Sequence, residues 1–134
     1  MLNAAGGLER GVPSGYAMRL NRDAQVRAVD LAVPLMAAGG RVVFVTSHYA
    51  HRYGTEPVPP FYQPVAASKR AGEDTLRARI PDLGERDLSL VVVSGDLVEG
   101  TIAVTLVERS SPGFISQETG WRAAHHGAVR HDGG

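Results

Sequence analysis

The chain contains no cysteine, so disulfides, thiolate metal sites and cysteine nucleophiles are all excluded. It also lacks an excess of either charge. The 14 basic residues balance the 14 acidic ones, which leaves no nucleic-acid footprint and no polybasic patch for a membrane. No apolar run approaches the length of a membrane span. The N-terminus lacks the charged-then-apolar layout of a signal peptide. A soluble cytoplasmic protein is the expectation. There is no internal repeat and no low-complexity segment. What the chain does have is 43% hydrophobic residues in 134, enough to build the core of one domain.

The most informative stretch runs from Gly40 to Glu73. Arg41 to Val45 is a short, β-branched apolar run, which predicts a buried parallel strand. It leads into Thr46-Ser47 and so places Ser47 at the strand's C-terminal end, where open α/β sheets bind ligands. After a polar, proline-rich loop a helix is expected to begin near Pro64. Its inner stripe is Val65, Lys69, Gly72, Leu76 and Ile80, spaced by four, three, four and four. A lysine in that stripe either snorkels to water or is a cation held in a site. Ile80-Pro81 is expected to end the helix. Leu88 to Val93, LSLVVV, predicts a strand buried on both faces. Strand, helix, strand at this spacing is a βαβ unit with parallel strands and a right-handed crossover.

Upstream, Tyr16 to Ala38 has a helical pattern. Leu20, Ala24, Ala28, Leu31 and Leu35 form its apolar stripe, and Asn21 lies just beside it. Pro34 interrupts the pattern, and Gly39-Gly40 closes it. By itself Asn21 reads as a solvent-facing or helix-bonding amide. The loop His48 to Gln63 is stiffened by Pro57, Pro59 and Pro60 and carries Tyr49, Tyr53 and Tyr62. His48 and His51 stand three apart, but no third metal ligand has convincing spacing. Ile102 to Arg109 suits either a strand or a helix. From Ser110 on, His125, His126, His131 and Trp121 sit among few apolar residues, and a frayed tail is expected.

Taken in order, several of these segments resemble the second half of a short-chain dehydrogenase/reductase. Leu2-Asn3-Ala4-Ala5-Gly6-Gly7 is similar to the Asn-Asn-Ala-Gly strand end of that family, with Asn3 and Gly6 at matching positions. Asn21 precedes Ser47 by 26 residues, as the helix asparagine of the family precedes its serine. Ala66-Ala67-Ser68-Lys69 resembles the Tyr-x-x-Ser-Lys helix, with Lys69 as the lysine. Gly95 and Leu97 match a segment that meets the nicotinamide, and Thr101 lies two residues beyond the family's threonine. The resemblance spans Leu2 to Arg109 and departs from the family in two places. Val65 stands where the tyrosine should be. No glycine-rich turn for a dinucleotide pyrophosphate is found.

The resemblance implies an α/β fold: a Rossmann-like parallel sheet with flanking helices, its N-terminal half and cofactor cradle missing. Residues 1–109 would be this half-domain and 110–134 a poorly ordered tail. It implies hydride transfer between NAD or NADP and a small carbonyl or alcohol. Ser47 would polarise the carbonyl, Lys69 would support the acid and hold the cofactor ribose, and Asn21 would organise a proton relay. Asn3, Gly6, Gly95 and Leu97 would meet the cofactor. Tyr62, in the loop before the helix, is the expected substitute acid/base, and its ring is otherwise expected to pack under the loop beside Phe61. The alternative is an inactive remnant that acts, if at all, as an interaction or structural module. A half sheet would expose a strand edge open to pairing, which allows a homo-oligomer.

Overall fold

The computed structural model describes residues 2–3, 11, 13–95 and 112. The chain divides into two compact units, Met1–Leu97 and Val98–Gly134. Everything below concerns the first. Gly6, Leu97, Thr101, the Ile102 to Arg109 segment and the expected tail lie outside the described residues, as does the 109/110 boundary.

The fold is α/β. Three parallel strands stand in the order β1 (Leu2–Asn3), β2 (Arg41–Ser47) and β3 (Ser89–Gly95). Asn3 pairs with Val45, and β2 pairs with β3 along its whole length, from Arg41 with Ser89 to Ser47 with Gly95. The turns before β2 and β3 are tied together. Gly39, at φ 82°, donates its N–H to the Asp87 carbonyl at 2.7 Å, and Asp87 is itself left-handed at φ 54°. Asp tolerates that backbone better than most residues.

The helical stretch between β1 and β2 has three kinds of turn. It runs as α1 (Tyr16–Met18), a π-helical segment Arg19–Asp23, α2 (Ala24–Ala32) and a 3₁₀ turn Val33–Leu35. Pro34 thus ends the regular helix, because it has no N–H for the carbonyl four residues back and its ring crowds that carbonyl. The buried face is not the expected one. Asn21, Gln25 and Val29 face inward, while Leu31 and Leu35 are 67% and 88% exposed. The inward residues keep the expected step of four but lie one position along from Leu20, Ala24 and Ala28, an offset of about 100° around the helix.

After β2 the expected loop holds a one-turn helix, α3 (His48–His51), and a 3₁₀ turn, Pro60–Tyr62. Then α4 (Gln63–Arg77) crosses back, with Pro64 in its first turn where a missing N–H costs nothing. Val65, Lys69, Gly72 and Leu76 are buried as the spacing predicts. Ile80 is not: it is 46% exposed and opens a separate helix, α5 (Ile80–Glu85), with Pro81 in its first turn. The Ile80-Pro81 pair therefore begins a helix rather than ending one.

Helices cover one face of the sheet. The main core joins Val29 of α2, Val42 and Phe44 of β2, Leu76 of α4, Leu83 of α5 and Leu88. Leu90 and Val92 of β3 pack against it. Side chains alternate along a strand, so Val91 and Val93 point the other way. They are 37% and 46% exposed, so β3 is covered on one face and not on both as expected. The run LSLVVV is apolar on both faces, and apolarity alone does not reveal that only one is packed.

Candidate functional site

Ser47 ends β2 and begins α3, and both roles follow from its backbone. It is extended, at φ −92° and ψ 156°, and its Oγ accepts from the Ala50 N–H at 3.2 Å. That is an ordinary N-cap, which satisfies one of the donors that a helix start leaves bare. A second donor reaches the same oxygen. The Tyr62 hydroxyl donates to Ser47 Oγ at 3.1 Å.

Tyr62 is carried there by the 3₁₀ turn that leads into α4. Its ring is buried beside Tyr49, with centroids 5.9 Å apart, and edge-on to Phe61 at 6.4 Å. With Ala50, Val65 and Ala66 it forms a second apolar cluster. The ring packs under the loop beside Phe61, as one of the two expectations had it, and its hydroxyl meets the serine. Burial pushes its pKa up, and the bond to Ser47 pulls partly back. The resemblance implied a tyrosine whose pKa falls under a lysine's charge. Tyr62 is raised instead, because its ring is sealed at the helix entrance, seven residues ahead of Lys69.

Val65 occupies the family's tyrosine position, at 2% exposure within that second cluster. Lys69 lies one turn further along α4 and is 9% exposed. Burial pushes its pKa down. The side chain is thus enclosed along most of its length.

Asn21 sits in the middle of the π segment, with none of its surface exposed. Its Nδ2 donates to Ser68 Oγ at 3.0 Å, and Ser68 in turn donates to the Val65 carbonyl at 2.9 Å. The solvent-facing reading of this amide is therefore wrong. Asn21 is fixed to the helix that carries Lys69. Gly72 allows the approach. A Cβ there would stand 2.3 Å from the Asn21 carbonyl oxygen and 3.4 Å from Arg22 Cα.

The structure thus gathers Ser47 with Tyr62, and Asn21 with the Ser68-Lys69 helix. The backbone of Asn3 is in the sheet beside Val45, and Gly95 is opposite Ser47 in the register. At Gly95 a Cβ would meet nothing within 4 Å, so its backbone is approachable. Thr46, next to Ser47, is buried at 4%, and its Oγ1 has no hydrogen-bond partner among the described residues. A shallow groove of about 500 Å³ lies elsewhere, lined by Arg22, Asp23, Val26, Arg27, Asp30 and Thr75. It includes none of the site residues.

One charged cluster escaped the sequence reading. Glu73 of α4 is fully buried. His51 Nδ1 lies 3.0 Å and 3.1 Å from its two oxygens, and Arg77 Nε donates to Oε1 at 2.8 Å. The Glu73–Arg77 spacing is visible in sequence as a helical i, i+4 pair. Its burial is not, because such pairs usually lie on a solvated face. Among the described residues no three potential ligands cluster as a metal site, and His51 is turned toward Glu73 rather than toward His48. No protein-family model matches the chain, and no curated protein matches it.

Proposed function

We propose that this chain carries the proton-donating half of a nicotinamide-dependent carbonyl reductase of the short-chain dehydrogenase/reductase type, with Tyr62 in place of the missing tyrosine. The observation that carries this reading is the 3.1 Å contact between the Tyr62 hydroxyl and Ser47 Oγ at the C-terminal end of β2.

Ser47 Oγ accepts from Ala50 N–H and from Tyr62 O–H. With both acceptor positions taken, its own proton is left to donate outward. A carbonyl oxygen placed there would accept a hydrogen bond from Ser47, and the alkoxide that develops would take the Ser47 proton while Tyr62 passes its own to Ser47 Oγ and is left as the phenolate. Burial raises the Tyr62 pKa, so the phenol is protonated at neutral pH but is a weaker acid than a free tyrosine, and only a base as strong as a developing alkoxide would take its proton.

The residues fit the nicotinamide and ribose end of a dinucleotide. The open backbone at Gly95 would meet the nicotinamide end, and Lys69 would hold the ribose. When bound, NADH or NADPH supplies the hydride. Positioning falls to Asn21, whose bond to Ser68 holds the π segment against the Lys69 helix.

A second reading is an inactive remnant that pairs with another chain. The open apolar face of β3, with Val91 and Val93 exposed, favours it. One experiment separates the two. The thermal midpoint of the chain is measured with and without millimolar NADH or NADPH. Binding to the native state alone raises it by mass action. A rise with one cofactor is expected, and a cooperative transition that neither cofactor moves would overturn the enzyme reading in favour of the remnant.

A further inference from the structure

We infer that the pair formed by the buried Glu73 and the part-exposed His51 is a positioning latch, which holds α3 against α4 and so keeps Ser47 Oγ against the Tyr62 hydroxyl. The inference rests on the Ser47–Tyr62 site proposed above and adds to it residues that do not touch substrate.

The argument begins with the length of α3. A helix of four residues has almost no stability of its own, because nucleation costs more than one turn returns. Its orientation must come from what holds its two ends. At the first end, Ser47 Oγ takes the Ala50 N–H at 3.2 Å. At the other end stands His51, held twice. Its ring Nδ1 sits on the fork between the Glu73 oxygens, at 3.0 and 3.1 Å. Its backbone carbonyl accepts from Arg70 Nη1 at 2.6 Å. Both holding residues belong to α4. Between the ends, Ala50 has no exposed surface and packs in the cluster that contains Tyr62, Val65 and Ala66.

Tyr62 enters α4 directly, so α4 fixes the tyrosine, while the Ser47 backbone is fixed by β2 and its Oγ by the Ala50 N–H of α3. The Glu73–His51 and Arg70–His51 bonds join α3 to α4. A fully buried carboxylate is a costly way to gain stability, since an apolar side chain of similar size often does as well. What the carboxylate adds is direction: its fork takes the His51 Nδ1–H in one orientation while Oε1 also accepts from Arg77 Nε.

The test reads Tyr62 itself, in the full chain and without cofactor. The ¹³Cζ resonance of Tyr62, assigned by comparison with Tyr62→Phe, is followed as pH rises, alongside the thermal midpoint. In His51→Leu the latch is broken and water reaches the phenol. The Tyr62 midpoint is expected to fall toward the ordinary 10.0, because burial is the larger of its two influences. His51→Asn keeps a donor near the place of Nδ1 and is expected to restore the parent titration. Arg70→Met, which removes only the carbonyl bond, is expected to move Tyr62 the same way by less. Loss of thermal stability in a folded His51→Leu with the Tyr62 titration unchanged would make the pair merely structural and overturn the inference. If His51→Leu does not fold, Arg70→Met decides, and an unchanged titration there overturns it equally. None of these readouts needs a cofactor, so they can fail while the cofactor shift succeeds, and the reverse.

Discussion

The Tyr62 hydroxyl and Ser47 Oγ stand 3.1 Å apart although 15 positions separate them in the chain. The strand end supplies one partner and the entrance of the next helix the other. If the pair does the proposed chemistry, Tyr62→Phe removes the proton donor and nothing else of size. Cofactor-dependent reduction is then expected to lose about 10²–10⁴ in kcat, the usual worth of a positioned acid, with KM little changed. Ser47→Ala should lose about 10²–10³, as for one donor to a developing oxyanion. Steady-state kinetics on a panel of small carbonyls would check both. A Tyr62→Phe variant with full turnover would remove the tyrosine from the mechanism.

Gly72 is the point where α4 meets the π segment. Its hydrogen faces the Asn21 carbonyl, and a methyl group would stand 2.3 Å from that oxygen. Backbone cannot swing aside as a side chain can. Gly72→Ala is expected to cost about 3 kcal/mol, the upper end of the usual overpacking range. Gly84, in α5, is the control. A Cβ there meets nothing within 4 Å, and Gly84→Ala should gain up to ~1 kcal/mol from helix propensity and a less flexible unfolded chain. Urea unfolding of the two variants would show opposite shifts.

Lys69 and Tyr62 give stability opposite dependences on pH. The folded state holds the Lys69 pKa below its ordinary 10.5. Its contribution is therefore fully present above 10.5 and is lost as pH falls through the lowered folded value. Tyr62 is raised above 10.0, so its contribution is present below 10.0 and is lost as pH rises through the folded value. Lys69→Met removes only the first dependence. Its thermal midpoint relative to the parent is expected to be most favourable near pH 7 and to shrink toward pH 10. A difference that is flat across that range would mean that the folded chain does not perturb this lysine.

The two faces of the helical stretch before β2 can be told apart by substitution. Leu35→Ser should change stability by no more than ~0.5 kcal/mol, because the side chain is 88% exposed. Val29→Ala, at 4% exposure in the main core, should cost roughly 1–3 kcal/mol. Ranking these residues by hydrophobicity alone predicts the reverse order, so denaturant midpoints decide between the two.

That contrast marks where the sequence was legible and where it was not. The strand from Arg41, the helix from Pro64 and the parallel pairing of the two apolar runs followed from β-branched content and from spacing. So did the inward positions of Lys69 and Gly72, because α4 is one uninterrupted α-helix. The helix before β2 was misread by one position: the inward residues Asn21, Gln25 and Val29 keep a step of four but lie one along from Leu20, Ala24 and Ala28. The buried face is then chosen by specific bonds, Asn21 to Ser68 and Gln25 Nε2 to the Leu20 carbonyl at 3.3 Å, rather than by the greasiest residues. Within the site, Ser47 was legible from its place at a strand end. Tyr62 was named only as a stand-in for Val65, and its route to Ser47 depended on two short helical turns hidden in a proline-rich stretch. Glu73 was invisible, since nothing local distinguishes a buried i, i+4 ion pair from a solvated one.

The sheet order β1-β2-β3 is the order of the chain. Each new strand is therefore laid beside the one made just before it, and none has to be threaded between two already in place. Yet the first pair across β2 and β3, Arg41 with Ser89, joins residues 48 positions apart. Closing so long a loop is slow compared with winding α4, whose bonds are all local. The helix is thus expected to exist, at least in flickering form, before the strands on either side of it meet. Its buried stripe, Val65 to Leu76, would be the surface on which β2 and β3 find their register.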